Sequence, residues 1–166
     1  MRRYAMHCGL QTDPPMPLGD IDFAIRQAQA GDGPVLAQLM CELGYATTPG
    51  EMETRLELIL SNTAYKTLVA VMDGRVCGMI GTIVYPSYEH NDPGARIVAL
   101  VTLSAQRRRG IGRALIATAE KDLAQRGVQR VSLNTQLTRE DAHKFYESLG
   151  YTRNGWRFVK QLPVRI

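Results

Sequence analysis

The most constraining feature of this chain is an apolar strand followed directly by a basic, glycine-containing turn and an amphipathic helix. Residues 97–103 form an apolar run of strand length, and residues 106–114 read QRRRGIGRA. The residues after Gly110 carry apolar side chains at helical spacing. Such a turn lets several backbone N–H groups converge at a helix N-terminus, which carries partial positive charge. The sequence therefore predicts a site for a phosphate or pyrophosphate group.

The turn differs from two common phosphate-binding motifs. No Gly-Lys-Ser/Thr follows it, as a Walker A loop requires, and the G-x-G-x-x-G spacing of a dinucleotide-binding fingerprint is absent. In the phosphate hypothesis, Arg107, Arg109 and Arg113 add charge-assisted contacts to those of the backbone. The alternative is a solvated basic helix start with a glycine that serves packing.

Strand and helix signals on both sides of this turn predict the rest of the fold. Asp73-Gly74 is a strong hairpin signal, and Thr48 with Glu51 forms a capping-box pattern. The expected strands are residues 23–28, 68–72, 75–85, 96–103 and 128–134, with one or two more in 151–162, and the expected helices follow Asp32, Thr48, Gly110 and Thr138. This order predicts a three-layer α/β/α fold with a mixed, mostly antiparallel central sheet flanked by helices.

Length and composition limit the class of protein. The 166 residues suit one domain, which we place at residues 21–166, after an N-terminal arm at residues 1–20 that contains a proline-rich run. No apolar run reaches the length of a membrane helix. The three cysteines and three histidines are scattered, which predicts reduced thiols, a cytoplasmic protein and no metal site. The formal net charge of +4 is modest, and nucleic acid, a phosphate-bearing small ligand or no partner at all would be equally compatible with it.

Two motifs together resemble the GNAT N-acetyltransferase superfamily. The pattern R-x-x-G-x-G at residues 107–112 is similar to its acetyl-CoA pyrophosphate loop, and R-x-x-A-H-x-F-Y-x-x-x-G-Y at residues 139–151 is similar to the last helix of many bacterial members. The resemblance covers residues 21–162. From Asp73 onward, the chain looks especially like aminoalkylphosphonate N-acetyltransferases.

The resemblance implies where acetyl-CoA binds. In the family, the strand before the loop diverges from its neighbour, and pantetheine lies in the gap like an extra strand. An N–H group of the strand then polarises the thioester carbonyl, and Asn134 on the partner strand could bind the cofactor arm. The implied contacts are Leu100, Val101, Thr102 and Leu103 on the strand, Arg107, Arg108, Arg109, Gly110, Ile111, Gly112, Arg113 and Ala114 in the loop and helix start, and Asn134 and Tyr146 beyond them.

Tyr146 is the predicted general acid for the departing CoA thiolate. Arg139, His143 and Tyr146 share one helix face beside an apolar stripe, which places Tyr146 at the edge of core and cleft. The alternative is a core tyrosine whose hydroxyl is satisfied by a neighbour. His143 is expected to lie on the helix surface.

The base that accepts the proton of the substrate ammonium is left open. Ala99 stands where many relatives have an acidic residue, and Ser104 replaces a proline common before the loop. Glu89 and His90, with Tyr85 as pocket lining, are weak candidates for the acceptor site. An exposed polar loop is the alternative for these residues.

The leading functional hypothesis is transfer of an acetyl group from acetyl-CoA to a primary amine of a small molecule, by direct attack in a ternary complex. A protein or peptide amine is the alternative acceptor, and a non-catalytic acyl-CoA sensor is the alternative class. A nucleic-acid-binding module ranks last, because the chain lacks interleaved aromatic residues. Family members are often homodimers, and the sequence itself does not decide the oligomeric state.

Overall fold

A computed structural model describes residues 23–163, so the predicted arm at residues 1–20 lies outside the described residues. These residues form a five-stranded sheet in the order β1-β2-β3-β4-β5, antiparallel except for the parallel pair β4 and β5. The strands are β1 (Phe23–Gln27), β2 (Tyr65–Met72), β3 (Arg75–Tyr85), β4 (Gly94–Thr102) and β5 (Arg130–Leu133), and the helices are α1 (Gly33–Leu43), α2 (Pro49–Ser61), α3 (Ile111–Gln125) and α4 (Glu140–Glu147).

Three turns and helix ends lie where local sequence signals place them. Asp73 and Gly74 join β2 to β3 with φ angles of 50° and 72°, the left-handed conformation that a tight hairpin turn requires. Thr48 and Glu51 complete both hydrogen bonds of the predicted capping box at the start of α2. Helix α1 ends at Gly44, which has a φ of 101°.

The sheet separates two apolar clusters, one on each face. Helices α1 and α2 cover one face, where Leu36, Leu39 and Leu56 are almost completely buried. Helices α3 and α4 cover the other face, around Ile80 and Leu115. This arrangement confirms the predicted three-layer α/β/α fold with a mixed, mostly antiparallel sheet.

Two predictions about the second half are wrong. Residues 151–163 form no strand, and Trp156 and Phe158 in this segment are 78% and 92% exposed. These residues form no strand although the outer edge of β5 is unpaired among the described strands. Helix α4 starts one residue later than the predicted cap, because Arg139, and not Thr138, occupies the N-cap without a side-chain cap bond.

Candidate active site

Strand β4 and the edge strand β5 part halfway along β4. Their parallel pairing ends at Ile97 and Leu133. At the next residue, Val98 is an extra residue in β4, because β3 pairs with Ile97 and then directly with Ala99. A bulge of this kind bends its strand and increases the local twist. The bulge therefore accounts for the gap that opens between β4 and β5.

Beyond the bulge, β4 keeps a strand partner on one side only. Residues 100–102 pair with β3, and the N–H of Leu103 donates to the carbonyl of Cys77 at 2.9 Å. On the other side, no described strand pairs with these residues. Backbone groups of the predicted contacts Leu100, Val101, Thr102 and Leu103 thus border a gap that an extended ligand could enter.

The turn after β4 presents a series of backbone N–H groups. Arg108 and Gly110 have φ angles of 62° and 79°, and Gly110 is the N-cap of α3. The first intrahelical bond of α3 runs from the N–H of Ala114 to the carbonyl of Gly110. Within residues 23–163, the N–H groups of residues 108–113 have no hydrogen-bond acceptor. These donors and the positive end of the helix dipole together favour an anion at this place.

The four arginines of the turn extend in different directions. The Arg107 guanidinium donates to Glu42 at 3.2 Å, and its Nε donates to the carbonyl of Thr102 at 3.4 Å. Arg109 lies 3.9 Å from the sulfur of Met72, and Arg113 donates to Ser148. Arg108 has no hydrogen bond to any residue of the described chain. That these arginines bind phosphate stays a prediction.

Two buried oxygen atoms near the gap have no hydrogen-bond partner among the described residues. They are Oε1 of Gln106, just before the turn, and Oγ1 of Thr135, two residues beyond β5. A polar atom that is buried without a partner costs free energy, so it marks a place where a ligand can supply the bond. Thr135 fits a ligand in the gap at least as well as its exposed neighbour Asn134, which the sequence analysis chose. No sequence signal distinguishes the two.

Tyr146 lies in α4, near the start of α3. A Cβ added to Gly112 would stand 3.4 Å from the ring of Phe145, which shows how closely the two helices approach. The Tyr146 ring packs edge-on against the rings of Phe145 and Tyr151, with centroid distances of 5.3 and 5.8 Å. Burial raises the pKa of the Tyr146 hydroxyl, and the positive charge of Arg139 partly opposes this shift. Tyr146 is therefore protonated at neutral pH, as a proton donor must be.

The weak acceptor-site candidates lie at the other end of β4. Tyr85 pairs with Gly94, the first residue of β4, and the loop after it holds Glu89 and His90. The N–H groups of these two residues donate to Ser87, and residues 87–92 line a cavity of about 460 Å³. Gly94 and position 99 are five positions apart along β4, a distance of about 16 Å at 3.3 Å per residue. The role of Tyr85, Glu89 and His90 in the acceptor site stays a prediction.

His143 and Ala99, which the sequence analysis also singled out, each contact an identifiable part of the fold. His143 Nε2 lies 3.0 Å from the carbonyl oxygen of Gln136, so its ring is held by the backbone before α4. Ala99 packs against the apolar cluster beneath α1 and α2.

Among the described residues, no group of three or more potential ligand side chains could hold a metal ion, and no helix is long and apolar enough to span a membrane.

Comparisons with known proteins point to one family of enzymes. The sequence profile of the acetyltransferase (GNAT) family matches residues 35–151. The aminoalkylphosphonate N-acetyltransferase of Salmonella typhimurium is 31% identical over 145 residues, which cover 83% of this chain and 90% of that protein. An N-acetyltransferase of Bacillus subtilis is 28% identical over 128 residues, which cover 76% and 87%. A solved GNAT family acetyltransferase from Staphylococcus aureus has a TM-score of 0.72 at 27% identity and covers 84% of this chain and 98% of that one.

Proposed function

The chain belongs to the GNAT family of acetyltransferases, and on that premise we propose that it moves the acetyl group of acetyl-CoA to a primary amine of a small molecule. Enzymes of this family generally use acetyl-CoA as co-substrate. In this proposal the amine attacks directly in a ternary complex, without a covalent enzyme intermediate. A cytoplasmic location remains a prediction from the sequence, and a homodimer remains an expectation from the family resemblance.

The observation that carries this proposal is the position of the unbonded N–H groups of residues 108–113. They follow β4 at the point where it has already left β5, so the gap between the strands leads to them. An elongated ligand with an anionic group at one end could use both features at once. Acetyl-CoA has this form, and when bound it supplies the activated acetyl thioester.

The residues of the chain have separable roles in this proposal. The N–H groups of the turn and of the α3 start, with Arg108, bind the pyrophosphate. Backbone groups of residues 100–103 hold the pantetheine arm along the open side of β4, and one N–H polarises the carbonyl as negative charge develops on its oxygen. Asn134 and Thr135 offer side-chain hydrogen bonds from the opposite side of the gap.

Tyr146 holds the proton that the leaving thiolate needs. Its raised pKa keeps the hydroxyl protonated throughout the neutral range, and its helix approaches the start of α3. A positioned general acid typically contributes a factor of about 10² to 10⁴ in rate.

We infer that the acceptor amine carries an anionic group. The relative in Salmonella typhimurium is named for aminoalkylphosphonates, and the present chain has a net charge of +4. This excess of positive charge favours a phosphonate-bearing or carboxylate-bearing amine over a polycationic one.

Calorimetric titration with acetyl-CoA tests the cofactor site. We compare the wild type with Gly110→Glu and with Gly127→Glu as a matched control. Both glycines have a φ of 79° and open space around the added Cβ, so the two variants share the backbone strain and the charge change. They lie at opposite ends of α3. A glutamate is less favourable at the C-terminal end of a helix, so the control carries the larger stability cost.

We expect acetyl-CoA to bind the wild type and Gly127→Glu with similar affinity, and Gly110→Glu to lose binding. No binding to the wild type would overturn the proposed function. If both variants lost acetyl-CoA binding equally, the loss would be due to destabilisation, and the turn would no longer be assigned as the cofactor site.

The acceptor is tested next by comparing an aminoalkylphosphonate with the alkylamine of equal chain length. Equal kcat/KM values for the two amines would refute the anionic acceptor.

A further inference from the structure

Glu42 connects helix α1 to the segment that leads into the candidate cofactor loop. Its Oε1 accepts hydrogen bonds from the hydroxyl of Ser104 at 2.9 Å and from the N–H of Ser104 at 3.4 Å. Its Oε2 accepts from Arg107 at 3.2 Å. The Glu42 side chain is 26% exposed, so solvent screens these contacts only in part.

No group within helix α1 stabilises the Glu42 carboxylate at the end of this helix. Glu42 lies in the last turn of α1, where the negative end of the helix dipole disfavours an acidic side chain. No basic residue stands in that turn to offset the charge. The compensating groups, Ser104 and Arg107, come instead from 62 and 65 residues farther along the chain.

The contacts of Glu42 enclose one short turn of the chain. Ser104 is the first residue of a short 3₁₀ helix of one turn, Ser104–Gln106, and Arg107 follows its last residue. The next residue, Arg108, has a φ of 62°, which is unfavourable for a residue with a side chain. The N–H groups that define the loop begin at this residue. Glu42 thus fixes both ends of the turn that sets the direction of the loop.

We propose that Glu42 is a positioning residue that holds this turn in the shape required for cofactor binding. The inference rests on the proposed function, because the ligand of the loop is taken to be acetyl-CoA. A contrary effect is physically reasonable: the Glu42 carboxylate could compete with an anionic ligand for Arg107, and its removal would then strengthen binding. The two effects have opposite signs, so one affinity measurement decides between them.

The geometry at Ser104 provides a rescue variant. Leu103 has φ and ψ angles of −49° and 137°, an extended conformation that a following proline accepts. A proline is also tolerated at the first position of a helical turn. The N–H of Ser104 has no acceptor other than Glu42 in the described chain. Ser104→Pro can therefore restrain the turn covalently when the bonds from Glu42 are missing.

The experiment measures the dissociation constant of acetyl-CoA for Glu42→Ala, for Glu42→Ala with Ser104→Pro, and for Glu42→Gln. We expect Glu42→Ala to raise the dissociation constant about tenfold, which is about 1.4 kcal/mol. The proline is expected to restore most of this loss. Glu42→Gln keeps an acceptor for Ser104, so its loss is expected to be smaller. Glu57→Ala removes an equal charge from an exposed position of α2 and is expected to have no effect.

Turnover provides the second readout. At saturating acetyl-CoA, kcat of Glu42→Ala is expected to stay within about twofold of the wild type, because the cofactor restores the loop once bound. Tighter or unchanged binding by Glu42→Ala overturns the proposal, and so does a loss that Ser104→Pro leaves unrestored. Failure of the wild type to bind acetyl-CoA is the distinct result that removes the proposed function itself.

Discussion

Replacing Tyr146 by phenylalanine separates a catalytic hydroxyl from a structural ring. The change removes one oxygen atom and keeps the ring that packs against Phe145 and Tyr151. We expect kcat to fall by about 10²-fold or more, because a general acid typically contributes at least this factor. Two powers of ten correspond to about 2.7 kcal/mol of activation free energy.

The same change is expected to leave the free energy of unfolding almost unaltered. Within residues 23–163, the Tyr146 hydroxyl makes no hydrogen bond to another group, so its removal breaks none. Its removal also relieves the desolvation of a partly buried polar group, an effect that opposes any loss of packing. Stability and turnover therefore respond differently to this substitution.

Tyr151→Phe is the matched control for this experiment. The Tyr151 ring belongs to the same aromatic group, but its hydroxyl donates to Glu120 at 2.6 Å. Burial and this carboxylate both raise the pKa of Tyr151, so the hydroxyl is a firmly held donor. Its loss is expected to lower the free energy of unfolding by about 1–3 kcal/mol. We expect its kcat to stay within about twofold of the wild type.

The assay follows release of the CoA thiol at saturating concentrations of both substrates, and urea unfolding of the same samples gives the stability. Retention of more than half the wild-type kcat by Tyr146→Phe would refute the proton-donor role. Equal losses of kcat in the two variants would show that the effect is not specific to the Tyr146 hydroxyl, and would refute the role as well. In the wild type, burial raises the Tyr146 pKa, so the alkaline loss of activity due to this group is expected above the ordinary tyrosine value of about 10.

Three further predictions concern stability and are checked by urea unfolding. Thr48→Ala removes the cap of α2 and is expected to cost about 1 kcal/mol. Leu115→Ala opens a cavity at a fully buried position and is expected to cost about 2–5 kcal/mol. The hydrogen-bonded ion pair with Arg26 lowers the pKa of Asp32, so its stabilisation is present above the ordinary value of about 4 and is lost as the pH falls through the lowered one. Asp32→Asn should therefore be less stable than the wild type at pH 7, and this difference should shrink below pH 4.

The sequence predicts those parts of the fold that depend on neighbouring residues. The hairpin at Asp73-Gly74, the capping box at Thr48 and the helix end at Gly44 each need only a few adjacent residues, and all three are confirmed. The strand, basic turn and helix around Gly110 are likewise adjacent in sequence. Local conformational preference and apolar periodicity are sufficient to locate such features.

The features that the sequence analysis missed depend on distant partners. The bulge at Val98 is defined only by its register against β3, and no local pattern marks it. The contact of Glu42 with Ser104 spans 62 residues. The expected strands at residues 151–162 have suitable side chains, but a strand also depends on pairing with a distant segment, and these residues pair with none of the described strands.

The surroundings of Ala99 bear on the base that the sequence analysis left open. Ala99 packs against the apolar cluster beneath α1 and α2, so a carboxylate at this position would lose solvation there. An alkylammonium with a lysine-like pKa of about 10.4 is less than about 0.1% neutral at pH 7, a cost of about 4.6 kcal/mol. Apolar surroundings lower the pKa of an ammonium group, because desolvation disfavours its charged form. An amine held beside Ala99 would therefore lose its proton to water more readily than in solution, without a carboxylate at this position.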